Sequence, residues 1–508
     1  MRGHILLPMT KEVSRREFMQ GCADVAAASM LRRSAFAAGA DLAMDTNRPQ
    51  FHLLPARNWM NDPNGPIYWK GKYHMFCQYN PHAAVWGDMH WAHAVSPDMV
   101  HWQHLPIALS PTKGGPDEEG CFSGSAIVYK GAPTFIYTGV KRAPLAEATI
   151  KDERNPLRES QCLAVSHDPE LKTWKKLAKP VIPAPPPGMD ITGFRDPCPW
   201  REGDTWYVGV GSGIRNKGGC VLLYRSHNLR RWEYLHPLAE GKWNGKHTDP
   251  VGSGEMWECP DFFALDGKHV LLYSTEGTVF WEVGTYDAEA KRFTGEQKGE
   301  LDYGPQVYYA PKSMVDKDGN RILWGWLRET RPEAEYASAG WAGMMSLPRV
   351  LRVNASGQLE MRVLPKVEDL RAGEPVRWQA RKNRIAWPVK GLSASLNMQV
   401  QPLHGPVHIV LGTEAKPAAH FQLDATSGAL TFNAKEVGVS VSQGEMKLSL
   451  YLDGSVVEVM VNDRIAHTSR VYDLEPDRTL LTILDPGRAV SDATLWQMRP
   501  ISSNRLTS

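Results

Sequence analysis

One phrase recurs along this chain and limits what it can become. Ala94-Val95-Ser96-Pro97-Asp98 leads to Trp102, Ala164-Val165-Ser166-His167-Asp168 to Trp174, and Tyr224-Arg225-Ser226-His227-Asn228 to Trp232. Each copy begins as a strand, turns on a Ser-x-Asp/Asn unit and closes on a tryptophan. The tryptophans lie 72 and 58 residues apart. A fainter copy, Thr285-Tyr286-Asp287 to Phe293, follows at a similar interval. Self-similarity at this period in β-type sequence predicts propeller blades of about four strands each. At roughly 60 residues per blade, the 300 or so residues from 51 to 350 make five blades. The rival architecture is a two-sheet sandwich with coincidental repeats, and the spacing favours the propeller.

The text changes further along. Residues 353–375 read as a polar connector. From 376 to 501 the strands alternate and tryptophan becomes sparse. LSLYLDGSVVEVMVNDR at 448–464 is a hairpin signal, two alternating runs about an Asp-Gly turn. The expected organisation is therefore all-β: a five-bladed β-propeller over 48–352, then a C-terminal β-sandwich over 376–501. With 508 residues the chain is long enough for two such cores.

Composition narrows the partners. Formal net charge is +2, from 58 basic and 56 acidic residues, so nothing points to nucleic acid. No run of about 18 apolar residues follows the N-terminal region, and no membrane span is expected. The 18 tryptophans suit stacking on sugar rings, although composition alone fits ordinary packing of a large β-protein better. Ser14-Arg15-Arg16-Glu17-Phe18-Met19 resembles a twin-arginine export signal, and a small-residue stretch follows to Ala40. Residues 1–40 are thus expected to be an export leader, with a periplasmic or extracellular product. Cys22 lies in that leader. Cys77, Cys121, Cys162, Cys198, Cys220 and Cys259 form no C-x-x-C pair and are expected to be mostly free buried thiols.

Three acids share a setting. Asp62 sits in WMNDPNG (59–65), Asp196 in Gly193-Phe194-Arg195-Asp196-Pro197, and Glu258 in Met256-Trp257-Glu258-Cys259-Pro260. Proline stiffens the chain beside each carboxylate, and each falls in a different repeat. Asp62 is expected to end a strand, with the chain reversing at Asn64-Gly65. Asp-Pro also occurs at 168, 249 and 485, so one case alone means little. Three at blade-like intervals point to acids meeting in one funnel. Paired carboxylates suit glycosidic cleavage, one attacking the anomeric carbon and the other protonating the leaving oxygen. Arg195 is expected to keep Asp196 ionised, and the apolar neighbours of Glu258 to raise its pKa. The pairs His90/His93 and His101/His104 are spaced by three, which places strand side chains on opposite faces, so no metal is expected.

WMNDPNG, RDP and WECP, in that order, resemble the three signature motifs of glycoside hydrolase family 32, the β-fructofuranosidases. YHMFCQYNP (73–81), Trp86-Gly87, Phe122-Ser123-Gly124-Ser125, GWAGMMSLPR (340–349) and LDGSVVEVMVND (452–463) fit as well. The resemblance runs from about 51 to 500. It implies a five-bladed propeller with a β-sandwich and release of terminal β-fructofuranosyl groups from sucrose or fructans such as inulin and levan, with retention and without a cofactor. Carried over by motif, Asp62 is the nucleophile, Glu258 the general acid and then base, and Asp196 the group that binds fructose hydroxyls. Asn61, Gln78, Trp86, Phe122, Ser123 and Arg195 line the fructose pocket, with Trp59 and Met60 beside it. Met75 and Cys77 depart from the residues frequent in the family and are expected next to the pocket. Three other readings compete: fructosyl transfer by the same residues, a non-catalytic sugar-binding homologue, and a different propeller glycosidase acting on arabinan or xylan.

Overall fold

The computed structural model describes residues 42–242, 256–379, 383–402, 405–433, 435–436 and 444–508. The leader expected over 1–40 lies outside them.

Five antiparallel sheets follow one another along the chain. Their first strands are Asn58–Trp69, Gly120–Tyr129, Ile191–Glu202, Glu258–Leu265 and Tyr308–Val315. Each first strand touches the first strands of its two neighbours, and the last touches the first, so they close a ring about one axis. Trp341–Ala342 adds to the closure by pairing in parallel with Asn58–Trp59. The fold is a five-bladed β-propeller.

The recurring phrase is the turn between the third and fourth strands of a blade. In three blades a backbone N–H at the Asp or Asn is held by the preceding serine hydroxyl, at 3.2 Å for Asp98, Asp168 and Asn228. The Asp or Asn side chain then accepts N–H groups further round the turn. Trp174 and Trp232 donate their indole N–H to the carbonyls of Leu171 and Leu229, at 2.8 and 2.9 Å. Such local side-chain bonds replace ladder bonds, which is why the phrase marks a strand end. In the fifth blade Asn354 takes this place, accepting the N–H groups of Ser356 and Gln358.

WMNDPNG folds otherwise than its turn signal suggests. The strand runs unbroken from Asn58 to Trp69. Instead of reversing, it carries register shifts between Met60 and Pro63 and between Asn64 and Ile67. Gly65 has φ +44°, and a Cβ there would lie 3.1 Å from Ala126 Cβ in the next blade. Close approach of two innermost strands requires this glycine. The hairpin comes later, at Lys70-Gly71, both with positive φ, as a two-residue primed turn demands.

Two six-stranded sheets follow the propeller and pack on their own apolar core. The expected hairpin is present as Met446–Asp453 paired with Val456–Val461. Among the described residues the regular structure is thus nearly all β, a propeller followed by a β-sandwich. Within 353–375, read as a connector, Leu359–Val363 completes the fifth blade and Arg371–Arg377 pairs within the sandwich.

A buried ionic cluster joins the two parts. His52 stands 2.8 Å from Asp453 and 3.0 Å from Glu458. Arg349 pairs with Glu458 at 2.7 Å and Asp302 at 2.9 Å. Asp453 also accepts the backbone N–H groups of Gln50, Phe51 and His52. The hairpin's Asp-Gly turn therefore anchors the segment that leads into the first blade.

Candidate active site

The innermost strands share one irregularity. Register shifts fall between Met60 and Pro63, across Arg195–Cys198, between Glu258 and Asp261, and between Tyr309 and Lys312. Each spans an X-Pro pair: Asp62-Pro63, Asp196-Pro197, Cys259-Pro260 and Ala310-Pro311. Asp196, Cys259 and Ala310 have φ of 63°, 48° and 48°. Proline lacks the N–H that a ladder needs, and a bulge re-aims the side chains beside it. Four blades thus turn the residues before a proline toward the axis. The second blade does so with a register shift between Phe122 and Gly124, around Ser123.

These bulges bring Asp62, Asp196 and Glu258 together, at 8 %, 3 % and 4 % exposure. Asp62 Oδ2 accepts a hydrogen bond from Ser123 Oγ at 2.6 Å, and Oδ1 one from Asn61 Nδ2 at 3.1 Å. Asn61 also donates to Gln78 Oε1 at 2.9 Å, and Gln78 Nε2 donates to Ser123 Oγ at 2.5 Å. Trp59 Nε1 holds Asn61 Oδ1 at 2.8 Å. Amide and hydroxyl groups from two blades therefore hold the carboxylate in place.

Cys259 links two of the acids. Its Sγ lies 3.5 Å from both Asp62 Oδ2 and Asp196 Oδ2, and its N–H donates to Asp196 Oδ2 at 2.9 Å. Burial pushes this thiol well above its ordinary pKa, and the anionic neighbours Asp196 and Asp62 add to that. It stays a thiol, able to donate its one proton weakly to either carboxylate. Asp196 is pushed up to about 6, chiefly by burial, against the opposing charge of Arg195. Arg195, expected to keep this aspartate ionised, does act to lower its pKa, but burial outweighs it. It lies 4.0 Å from Asp196 and spends its stronger contacts elsewhere, on Glu159 at 2.9 Å and Glu258 at 2.8 Å.

Glu258 has polar company. Arg195 Nη2 donates to Oε1, and Tyr309 Oη donates to Oε2 at 2.7 Å. The tryptophan of its motif is engaged away from that carboxyl, with Trp257 stacked on Tyr273 at 3.9 Å. Trp86 meets Phe122 edge-on at 5.9 Å. Met60 is buried in the propeller core. So are Met75 and Cys77, which share a strand with Gln78 and alternate with it, facing the apolar core rather than the pocket.

Three contributors escaped the sequence reading. Glu159 is fully buried and accepts from Arg195 and from the N–H of Phe194. Thr138 accepts the N–H of Asp196 at 2.9 Å. Neither has a local signal. Tyr309 had one: Tyr309-Ala310-Pro311 repeats the residue-x-Pro pattern of Glu258-Cys259-Pro260 in the next blade.

Residues 52–362 match the Glycosyl hydrolases family 32 N-terminal domain, and residues 412–497 match the Glycosyl hydrolases family 32 C terminal. The chain belongs to glycosyl hydrolases family 32. As a family 32 protein it is a glycoside hydrolase, and its relatives agree. It is 36 % identical over 495 residues to a sucrose-6-phosphate hydrolase of Escherichia coli, covering 89 % of this chain and 95 % of that one. A raffinose invertase of Escherichia coli is 36 % identical over 489 residues, with the same coverage. Among solved structures, a family 32 β-fructofuranosidase of Bombyx mori superposes with a TM-score of 0.74 at 28 % identity, over 97 % of this chain and 99 % of that one. Fructan 1-exohydrolase IIa of Cichorium intybus superposes with a TM-score of 0.72 at 26 % identity, over 90 % and 98 %.

Proposed function

We propose that this family 32 enzyme releases terminal non-reducing β-D-fructofuranosyl groups from sucrose and related fructosides, with retention of configuration. The observation that carries this reading is the junction of Asp62, Asp196 and Glu258 through Cys259 and Arg195. The relatives named for invertase and β-fructofuranosidase activity support the sugar, and a mutant of the Bombyx mori enzyme has been solved in complex with sucrose.

In the first step a carboxylate oxygen of Asp62 attacks the anomeric carbon. The bond from that carbon to the leaving oxygen breaks, and Glu258 gives its proton to that oxygen. In the second step Glu258 takes a proton from water, the water oxygen bonds to the anomeric carbon, and Asp62 is released as carboxylate. Asp196 binds fructose hydroxyls, and its negative charge stabilises the oxocarbenium-like transition state. Asn61, Gln78 and Ser123 hold the nucleophile. Arg195 and Tyr309 hold Glu258. Trp86 and Phe122 form an apolar wall for the sugar.

The test is fructose release from sucrose, raffinose, inulin and levan by the wild type and by Asp62→Asn and Glu258→Gln. Release that disappears in both variants supports the assignment and ranks the substrates. Folded wild-type protein that releases no fructose from any of them overturns it. The transferase alternative predicts longer fructosides at high sucrose. The Ser14–Met19 motif supports export, tested by locating the full chain in its host before and after replacing Arg15 and Arg16 by lysine.

A further inference from the structure

We propose that His82, Asp88 and His90 form a binding site for a divalent transition cation of the zinc class, beside the pocket's Trp86. These residues bracket the segment between the strands Lys72–Asn80 and His90–Ser96. That segment carries Trp86, whose ring meets Phe122. His82 Nε2 lies 3.0 Å from Asp88 Oδ2, and His90 Nδ1 lies 3.9 Å from Asp88 Oδ1. One ligand atom from each residue falls within 4.8 Å of the others. Zinc ligands sit about 2.0–2.1 Å from the metal, so tetrahedral neighbours are roughly 3.3 Å apart. The His82–Asp88 pair already has such a spacing. A rotation of the His90 ring, giving up its bond to the Asp88 carbonyl at 2.7 Å, brings the third atom in.

The backbone prepares the arrangement. Asp88 has φ 45°, and the preceding Gly87 has φ 143°. Asn80 ties the segment at two points, accepting the N–H of His82 at 2.9 Å and donating to the Val85 carbonyl at 2.9 Å. Two imidazoles with one carboxylate suit zinc, cobalt or copper, whereas magnesium and calcium prefer all-oxygen sets. A surface ion pair between His82 and Asp88 would be worth little by itself. Histidines three apart on a strand point to opposite faces and cannot share a metal. This cluster uses spacings of six and two, which only the returning segment brings together. A bound cation would tie both ends of the Trp86 segment to one point while leaving a coordination position open to water.

Calorimetric titration of the whole protein with zinc chloride tests this, with His82→Ala and His90→Ala beside the wild type and magnesium chloride as the control ion. The expected result is one saturable zinc site in the wild type. Either variant should weaken it roughly tenfold or more, and magnesium should give no binding. Zinc should also raise the melting temperature of the wild type, and not that of the variants. His82 is exposed, so its variant should fold as the wild type does, which circular dichroism checks. No saturable site, or equal zinc affinity in wild type and both variants, overturns the proposal.

Discussion

Tyr309 Oη donates to Glu258 Oε2 at 2.7 Å, and Arg195 Nη2 donates to the other oxygen of the same carboxyl at 2.8 Å. Glu258 is thus held from two neighbouring blades, three and five. A general acid has to meet a leaving oxygen at hydrogen-bond distance, and a group that swings loses much of its effect. Tyr309→Phe should lower kcat for sucrose by roughly 10- to 100-fold with little change in KM. Steady-state kinetics decides it. A kcat within about twofold of the wild type would mean that the tyrosine hydroxyl does not position the acid.

Burial, helped by the charge of Asp62, outweighs Arg195 and pushes the Asp196 pKa up to about 6. Its proposed role needs the ionised form. The profile of kcat/KM should therefore fall as pH drops through about 6, rather than near 4 as for an exposed aspartate. The limb belongs to the pair of aspartates more than to either one. A profile that stays flat down to pH 4.5 contradicts this.

The seam between propeller and sandwich carries its own pH dependence. Burial alone would lower the His52 pKa, but hydrogen bonds and charge from Asp453 and Glu458 raise it to about 9. Burial would raise Glu458, yet Arg349 and His52 bring it down to about 2. The His52 contribution is complete below pH 6.5 and is lost as pH rises through 9. The Glu458 contribution is complete above about pH 4.5 and is lost as pH falls toward 2. Both hold between about 4.5 and 6.5. The His52 shift corresponds to about 3 kcal/mol and overlaps with that of Glu458, so the two do not add. Urea unfolding of the wild type should show lower stability at pH 9.5 than at pH 6, and His52→Gln should flatten that difference. Arg349→Met, which removes the cation shared by Glu458 and Asp302, should cost about 3–5 kcal/mol.

Gly343 lies where a Cβ would be 1.8 Å from the carbonyl oxygen of Met60, at φ +76°. That carbonyl stands two residues before Asp62. Gly343→Ala must push the first strand away or break the closure by Trp341–Ala342. It should destabilise the protein by more than about 2 kcal/mol and reduce activity beyond the loss of folded material. Melting temperature and kcat measured on the same preparation separate the two effects.

The sequence by itself determined the blades, because the Ser-x-Asp/Asn turn is closed by local hydrogen bonds and leaves its mark in a short stretch. It also determined which acids meet, because proline beside each of them forces an irregularity that a ladder cannot absorb. The same local rules misread WMNDPNG as a turn. Asn-Gly favours reversal when the chain is free to choose, and here neighbouring innermost strands enclose it and draw the segment straight, with Gly65 admitting Ala126. Only the tertiary structure decided what surrounds the acids. Glu159 reaches Arg195 from 36 residues away, Ser123 reaches Asp62 from 61, and Tyr309 reaches Glu258 from 51. Contacts of that range carry no periodicity. The pKa of Asp196 follows from burial inside a closed ring, which no neighbour in sequence can supply.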